Sequence, residues 1–470
     1  MSAVLADPQV LPRVVRLSAA VEVNPKIDRT GLTDKTQVSF VPMAAVGAAS
    51  GHIDVSTVRP YAEVKKGYTN FRNGDVLFAK VTPCMENGKM AVARQLKSGV
   101  GFGSTEFHVL RPREGIDSQY IYYFVSSQTF RKEASGHMTG AVGLRRVPSA
   151  FLENAEVPLP PLERQREIVA ELEKQFSRLD ETFANLQRVK ANLKRYKASV
   201  LKAAVEGRLV ETEASIAHRE GRTYETGEQL LQRILEERRV EWNGKGKYKE
   251  PVQADVETQK QQPGGWAAVS WETVLSPSDG AFKRGPFGSA LTKAIFVQQG
   301  YKVYEQYCPI NDDCSFARYY ITPEKFEELN GFAVQAGDYL ISCSGVTLGR
   351  ITRVPEKFDP GVINQALLRV RLNSAVVDHR YFLHLFRGPV FQGQIFEQSA
   401  GAAIPNVRGV AELKAMTIPL PPLHEQKRIA DEIDRRLSIV REVEAEVDTN
   451  LKRAQALRQA TLAKAFAGDQ

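Results

Sequence analysis

The sequence predicts an α+β protein: two duplicated α+β globular domains separated by a long antiparallel two-helix coiled coil, with pseudo-two-fold symmetry. Three observations predict it. The first is a long unit present twice. Residues 157–168 read V-P-L-P-P-L-E-R-Q-R-E-I, and residues 418–429 read I-P-L-P-P-L-H-E-Q-K-R-I. Pro158 falls on Pro419, an offset of 261 residues, and the same offset places Tyr120 on Tyr381, Phe130 on Phe391, Gly140 on Gly401, Leu201 on Leu462 and Gly207 on Gly468. With small gaps, Gly74-Asp75-Val76-Leu77 matches Gly337-Asp338-Tyr339-Leu340. A unit this long is not a solenoid repeat, which stacks short units at least three deep. The second observation is the texture of each globular half, short apolar runs punctuated by Gly, Pro and Asn. The third is the heptad-like apolar spacing that follows each Pro-Leu-Pro-Pro segment.

Each element follows in order. Residues 1–157 lack sustained helical periodicity. Val76–Ala79 and Phe107–Leu110 read as strands, and Ser118–Glu133, rich in Tyr and Phe, reads as a helix. Residues 158–206 form the first long helix. Proline disfavours helix in the residue before it, so Pro-Leu-Pro-Pro is an extended entry and the helix starts directly after. Ile168, Leu172, Phe176, Leu179, Phe183, Leu186, Leu193, Tyr196 and Val200 then recur at spacings of three, four and seven, the mark of a helix packed on a partner helix. Residues 207–265 have no counterpart in the second half. They read as a solvated linker holding an amphipathic helix, Thr226–Trp242, with Leu230, Leu231, Ile234 and Leu235 inward. Residues 266–418 repeat the globular pattern, with strands at Tyr339–Ile341 and Ala366–Val370 and a helix from about Asp378 to Phe396. Residues 419–470 form the second long helix, with Ile429, Ile433, Leu437, Val440, Val447, Leu451 and Ala454 on its seam. Each helix follows its own globular domain, so two-fold pairing makes the pair antiparallel.

Composition excludes several classes. No stretch approaches the roughly 20 apolar residues of a membrane span, and the first 16 residues lack the pattern of a secretory signal. A cytoplasmic protein with no membrane partner is expected. The four cysteines (Cys84, Cys308, Cys314, Cys343) have no metal-ligand spacing and read as reduced thiols. Net charge is +8, and residues 1–161 carry 19 basic against 14 acidic side chains while residues 263–422 carry 15 against 14. This balance fits a nucleic-acid partner without requiring one. No P-loop is present. Asp431-Glu432-Ile433-Asp434 looks like a helicase acidic box but lies on the seam helix, and reads as surface charge. No His pair has metalloprotease spacing and no Asn-Pro-Pro-Tyr-like methyltransferase motif occurs. No catalytic residues and no metal site are therefore expected.

Two variable globular domains, each ending in [VI]-P-L-P-P-L-x-x-Q-x-x-I and a long helix, resemble the specificity (S) subunit of type I restriction–modification enzymes, over essentially the whole chain. Gln165 and Gln426 complete the doubled motif. The run Gly74–Lys89 is similar to one type of target-recognition domain in that family, and Gly285-Pro286-Phe287-Gly288-Ser289 with Val362–Leu367 to another. The first copy has Glu163-Arg164-Gln165 where the second has His424-Glu425-Gln426, a difference that reads as one of surface residues. The resemblance implies a non-catalytic reader of double-stranded DNA with a bipartite site. Each target-recognition domain would read one half, and the helix pair would act as ruler for the spacer. Two methyltransferase (M) subunits using S-adenosylmethionine would dock on the helices. Restriction (R) subunits would add ATP- and Mg-dependent cleavage, and none of these cofactors is expected on this chain. Base reading uses Arg or Lys on guanine and Asn or Gln on adenine. The DNA-binding candidates are Lys80, Thr82, Asn87, Lys89, His137, Arg145 and Arg146 in the first domain. In the second they are Lys283, Arg284, Ser344, Thr347, Arg350, Asn364, Gln365, Asn406 and Arg408. The alternatives are a self-contained restriction endonuclease with an unrecognised nuclease site, and a coiled-coil adaptor without a DNA role.

Overall fold

The structure, a computed structural model, describes residues 13–141, 143–242, 247–254, 256–278, 280–345, 347–396 and 407–467. The chain folds as two compact units, Met1–Val189 with Glu446–Gln470, and Lys190–Ala445.

In the first unit, two four-stranded sheets carry the globular part. One runs Val21–Val23, Phe107–Pro112, Val76–Ala79, Met90–Val92, antiparallel throughout. The other runs Val58–Pro60, Gln37–Val41, Val100–Gly103, Thr69–Arg72, with Gln37–Val41 parallel to Val100–Gly103. The predicted strands Val76–Ala79 and Phe107–Leu110 are both present. Val76 and Phe78 face one core, with Tyr120 and Phe130, while Leu77 and Ala79 face another, with Phe71 and Phe107. This is the period-two alternation of a strand buried on both faces. The predicted helix at 118–133 is two helices, Ser118–Ser126 and Gln128–Gly136. Ser127 breaks it by adopting extended backbone and capping the second helix through its hydroxyl.

The second unit repeats the first sheet. Phe282–Arg284, Leu367–Val370, Tyr339–Ser342 and Ile351–Arg353 pair antiparallel in that order. A three-stranded sheet (Tyr320–Ile321, Tyr301–Tyr304, Gly361–Ile363) accompanies it. The helix expected over 378–396 again divides, into His379–Arg387 and Pro389–Phe396. Pro389 accounts for the break, since proline opens a helix more readily than it continues one.

The Gly-Asp pairs matched by sequence do the same work in each unit. Gly74 and Gly337 take left-handed backbone, at φ of 89° and 83°. The buried carboxylate of Asp75 accepts Nε and Nη2 of Arg111, both at 2.8 Å, and Asp338 accepts the same atoms of Arg371 at 2.7 and 3.1 Å. Each carboxylate also accepts a backbone N–H at the preceding turn, from Arg72 and Gln335, so the buried charge is paired and hydrogen-bonded.

The Pro-Leu-Pro-Pro entries are extended as expected, and each is a strand: Glu156–Leu159 pairs with Arg13–Arg16, and Thr417–Leu420 with Ala267–Ser270. The long helices begin directly after, Leu162–Val205 and Leu423–Phe466, 44 residues each. Gln165 and Gln426 are buried. The Gln165 amide donates to the Pro160 carbonyl at 2.8 Å and accepts the Asp117 N–H at 2.9 Å. Gln426 donates to Pro421 at 2.9 Å and to Val376 at 3.1 Å, and accepts Asp378 N–H at 2.8 Å. Asp117 and Asp378 in turn cap the helices Ser118–Ser126 and His379–Arg387. Tyr120 and Tyr381 donate to the carbonyls of Pro158 and Pro419.

Within each unit the start of one long helix runs antiparallel to the end of the other. In the first unit Leu172 and Phe176 share a core with Leu462, Asp180 pairs with Arg458 at 2.7 Å, and Phe466 packs on Tyr120. In the second unit Val200 and Ala204 share a core with Ile429 and Ile433, and Lys197 meets Glu444 at 2.6 Å. The seam is apolar as predicted at most positions. Tyr196 is an exception, 43% exposed. Ile433 is buried, and the neighbouring acids are neutralised locally: Asp431 and Asp434 by Arg380, Glu432 by Arg435 and Arg436.

Segment 207–265 is not the solvated linker expected. Helices Glu213–Glu220, Gly227–Val240 and Val256–Lys260 occur in it. Leu209, Leu230 and Ile234 belong to the core of the second unit together with Trp266, Val269 and Leu420. Leu235 is buried as expected, and Leu231 only partly so. The same packing overturns the reading of His424-Glu425-Gln426 as a surface difference. Glu425 is fully buried, accepting the Trp266 indole N–H and the Glu213 backbone N–H, each at 2.9 Å. Burial pushes its carboxyl above the ordinary range. For Glu213 burial acts the same way, but hydrogen bonds from Arg428 and Arg222 outweigh it and hold that carboxyl low.

Candidate DNA-recognition surfaces

The antiparallel sheets decide where the candidates go. In the first unit, strand Val76–Ala79 ends where Phe107–Pro112 begins, since Ala79 pairs with Phe107, and where Met90–Val92 begins, since Phe78 pairs with Met90. Lys80 and Thr82 follow the first of these strands, and Asn87 and Lys89 precede the last. The hairpin Thr139–Ala141/Leu144–Arg146 joins the same end, through a bridge between Val81 and Arg146 and a bond from Thr82 N–H to the Arg145 carbonyl at 2.9 Å. Residues far apart in sequence are thereby gathered at one end of one sheet.

The second unit gathers its candidates at the equivalent end. Ser342 pairs with Leu367, and Ile341 with both Leu368 and Ile351. Ser344, Thr347 and Arg350 lie on the loop between Tyr339–Ser342 and Ile351–Arg353, Asn364 and Gln365 just before Leu367, and Lys283 and Arg284 at the end of the edge strand. The Val407 N–H bonds the Cys343 carbonyl at 3.1 Å, which brings Arg408 alongside. Asn406 lies outside the described residues.

Side-chain partners sort the candidates. Asn87, Arg145, Arg350 and Gln365 are exposed, and Lys80, Arg284, Thr347 and Arg408 half-buried. Several candidates make contacts within the protein that fix their side chains. Arg146 grips Glu106 with two bonds, at 2.9 and 2.7 Å, and that contact holds the Glu106 carboxyl below its usual range. Thr82 donates to Glu86 at 3.1 Å, Lys89 to the Met43 carbonyl at 3.1 Å, and Ser344 accepts from Gln306 at 3.0 Å. His137 is exposed and stacks on Phe151 with ring centroids 4.8 Å apart. Asn364 Oδ1 accepts the Ala366 N–H at 3.1 Å and shapes its own turn. Lys283 Nζ sits 4.3 Å from the Phe332 ring. Beneath the first surface His108 is buried, Nε2 2.8 Å from the Val147 carbonyl and Nδ1 2.9 Å from Asn24 Nδ2.

Charge is sorted by segment. Residues 280–304, 339–355 and 360–371 build the second surface and contain no Asp or Glu, although the domain as a whole is nearly neutral. Domain-wide counting concealed that. Two tips were also left out of the candidates, one of them within the run Gly285-Pro286-Phe287-Gly288-Ser289 already singled out by its resemblance. The 261-residue offset places Asn24-Pro25-Lys26 on Gly285-Pro286-Phe287, and each turn leaves the edge strand of its sheet at this end. Both prolines are buried, and Lys26 and Phe287 are exposed. The hairpin adds Leu144, 53% exposed beside Arg145. The signal was the offset itself, read for its loops as well as its motif. Among the described residues no group of three or more His, Cys, Asp or Glu side chains is arranged to hold a metal, and no helix is long and apolar enough to cross a membrane. Burial pushes the Cys343 thiol, next to Ser344, up to about 12.

The family model described as type I restriction modification DNA specificity domain matches residues 14–195 and again 291–449. The chain is 26% identical to the EcoAI type I restriction enzyme specificity subunit of Escherichia coli, over 89% of this chain and 76% of that one. It is 40% identical over 161 residues to the EcoEI specificity subunit of Escherichia coli, covering 34% of this chain and 27% of that one. A solved chain, from work on complex assembly and conformational transition of the type I R-M system, shares the fold with a TM-score of 0.65 and 22% identity, over 98% of this chain and all of that one. The duplicated match covers the first globular region, the second from residue 291 onward, and more than half of each long helix, and the chain belongs to the type I restriction–modification DNA specificity family.

Proposed function

We propose that each globular domain reads one half of a bipartite, asymmetric DNA site, and that the long-helix pair sets the unread spacer and docks two methyltransferase subunits. On this reading the chain is the non-catalytic part of a complex. S-adenosylmethionine belongs to the methyltransferase subunits, and ATP and Mg to the restriction subunits. The single observation that carries the reading is the equivalent placement of two surfaces. Each lies at the same end of a duplicated sheet, and the loops expose different residues, Asn87 and Arg145 on one and Arg350 and Gln365 on the other. Equivalent placement suits two readers of one duplex. Different loops suit a target whose halves are unlike. Phosphate contacts from Lys and Arg would set register, and side chains such as Asn87, Arg145, Arg350 and Gln365 would read base edges.

The test is exchange of residues 1–157 for the corresponding region of another family member, co-produced with the methyltransferase subunit in a host free of such methylation. Sequencing of methylated bases should show one half-site changed, with the other half and the spacer retained. A change in both halves, or none, would refute the two-reader model.

A further inference from the structure

Phe287 is 68% exposed. Pro286 beneath it is buried. A side chain added at Gly285 would sit 1.9 Å from the Asn364 carbonyl oxygen, so the turn lies flat against the loop carrying Asn364 and Gln365. The Gly285 N–H bonds the Leu367 carbonyl at 2.9 Å. Left in water, a phenylalanine ring forgoes stabilisation that burial would provide, and here the fold spends a glycine and a buried proline on presenting it. The ring does not stand alone: the Arg284 guanidinium lies 5.6 Å from its centroid. The three segments around it carry no carboxylate, which favours a polyanionic partner over a protein surface of mixed charge. The equivalent tip of the first unit carries Lys26, whose chemistry serves phosphate and not a base face.

We infer that Phe287 is a base-contacting residue, an apolar wedge seated against a base step of the half-site read by the second domain. This rests on the two-reader function proposed above. Apolar side chains that wedge against base steps partly unstack them, and contact is made with the π-face of a base. The wedge and the basic loop beside it divide the labour: cationic groups hold the backbone, and the ring is sensitive to how readily the step opens.

The experiment uses the full chain complexed with its methyltransferase subunit. Two duplexes compete for binding, one carrying the motif mapped from wild-type methylation and one with the second half-site scrambled. Phe287→Ala should lower affinity for the mapped duplex about tenfold to hundredfold and leave the scrambled duplex unaffected. Phe287→Tyr should restore binding to within about threefold. Phe287→Lys, which copies the tip of the first unit and so suits a foldable turn, should weaken the mapped duplex while tightening the scrambled one. Equal binding of the mapped duplex by wild type and Phe287→Ala would overturn the inference. So would an equal loss on both duplexes, or loss of the methyltransferase subunit with DNA affinity intact. A wild-type complex that does not distinguish the two duplexes would instead sink the two-reader function, and the wedge with it.

Discussion

A buried primary amide is stable only when its oxygen and its N–H groups find partners, and Gln165 and Gln426 find the same ones in each unit. Each ties the first turn of a long helix to the cap of a domain helix. Gln426→Ala would strand the Asp378 N–H and two carbonyls in a buried site, and a group left so costs about 1–3 kcal/mol. All three tryptophans, Trp242, Trp266 and Trp271, lie in the second unit, so their fluorescence reports it alone. The expected result is a lower urea midpoint by that probe, and an unchanged midpoint would remove the clamp role. His108 gives a pH prediction for the first unit. Burial lowers its pKa below 6.5, so the folded unit keeps it neutral while the unfolded chain protonates. Its stabilisation is present above about pH 6.5 and is lost as pH falls through the lowered folded value. Amide exchange of residues 107–111 should therefore accelerate between pH 7 and pH 5 relative to the intrinsic rate, and His108→Gln should flatten the trend. If wild type and variant follow the same curve, His108 does not carry it. At this scale the sequence was only partly legible. The doubled Gln stood out as a motif, but its role depends on Asp117 and Asp378, 48 residues upstream in each case. Glu425 read as surface because its partners, Trp266 and Glu213, lie in or beside a segment with no duplicate to compare.

Strands and long helices were the most legible elements, because local periodicity specifies them. Val76–Ala79, Phe107–Pro112, Tyr339–Ser342 and Leu367–Val370 are bounded by turn residues, and the two long helices by prolines in front and apolar spacing throughout. What local pattern does not carry is long-range pairing. That Lys80, Asn87 and Arg145 share a sheet end, or Arg284, Arg350 and Gln365 another, follows from strand order and not from spacing. Segment 207–265 failed for the same reason: the apolar stripe of Gly227–Val240 was recognised, but not what it packs against. Leu230 is fully buried in the core of the second unit. Leu230→Ala should therefore destabilise that unit by about 2–5 kcal/mol, read as a shift in the tryptophan unfolding transition. A solvated connector would lose well under about 1 kcal/mol from the same change, and a shift that small would restore the linker reading.

At the scale of the molecule, the proposed function turns on whether the helices set the distance between the two half-sites it assigns. Within each unit they pack antiparallel over a buried apolar seam, and the ion pairs Asp180–Arg458 and Lys197–Glu444 cross between them. Lengthening both by the same amount at matched positions should therefore lengthen the ruler without altering either reader. Leu186 and Val447 are related by the 261-residue offset. Four residues inserted after each add one helical turn, roughly 6 Å of rise, which is about two base pairs of duplex. Four residues in place of seven also introduce a stutter that locally unwinds the seam. Unfolding temperature should fall somewhat, yet the readers lie outside the inserted segment and keep their loops. Methylation mapping of the double-insertion chain with its methyltransferase subunit should then show both half-sites unchanged and the spacer longer by about two base pairs. Insertion into one helix alone leaves a mismatched pair and should lose methylation in proportion to the packing it disrupts. Full methylation with an unaltered spacer in the double variant would show that the helices do not set the distance.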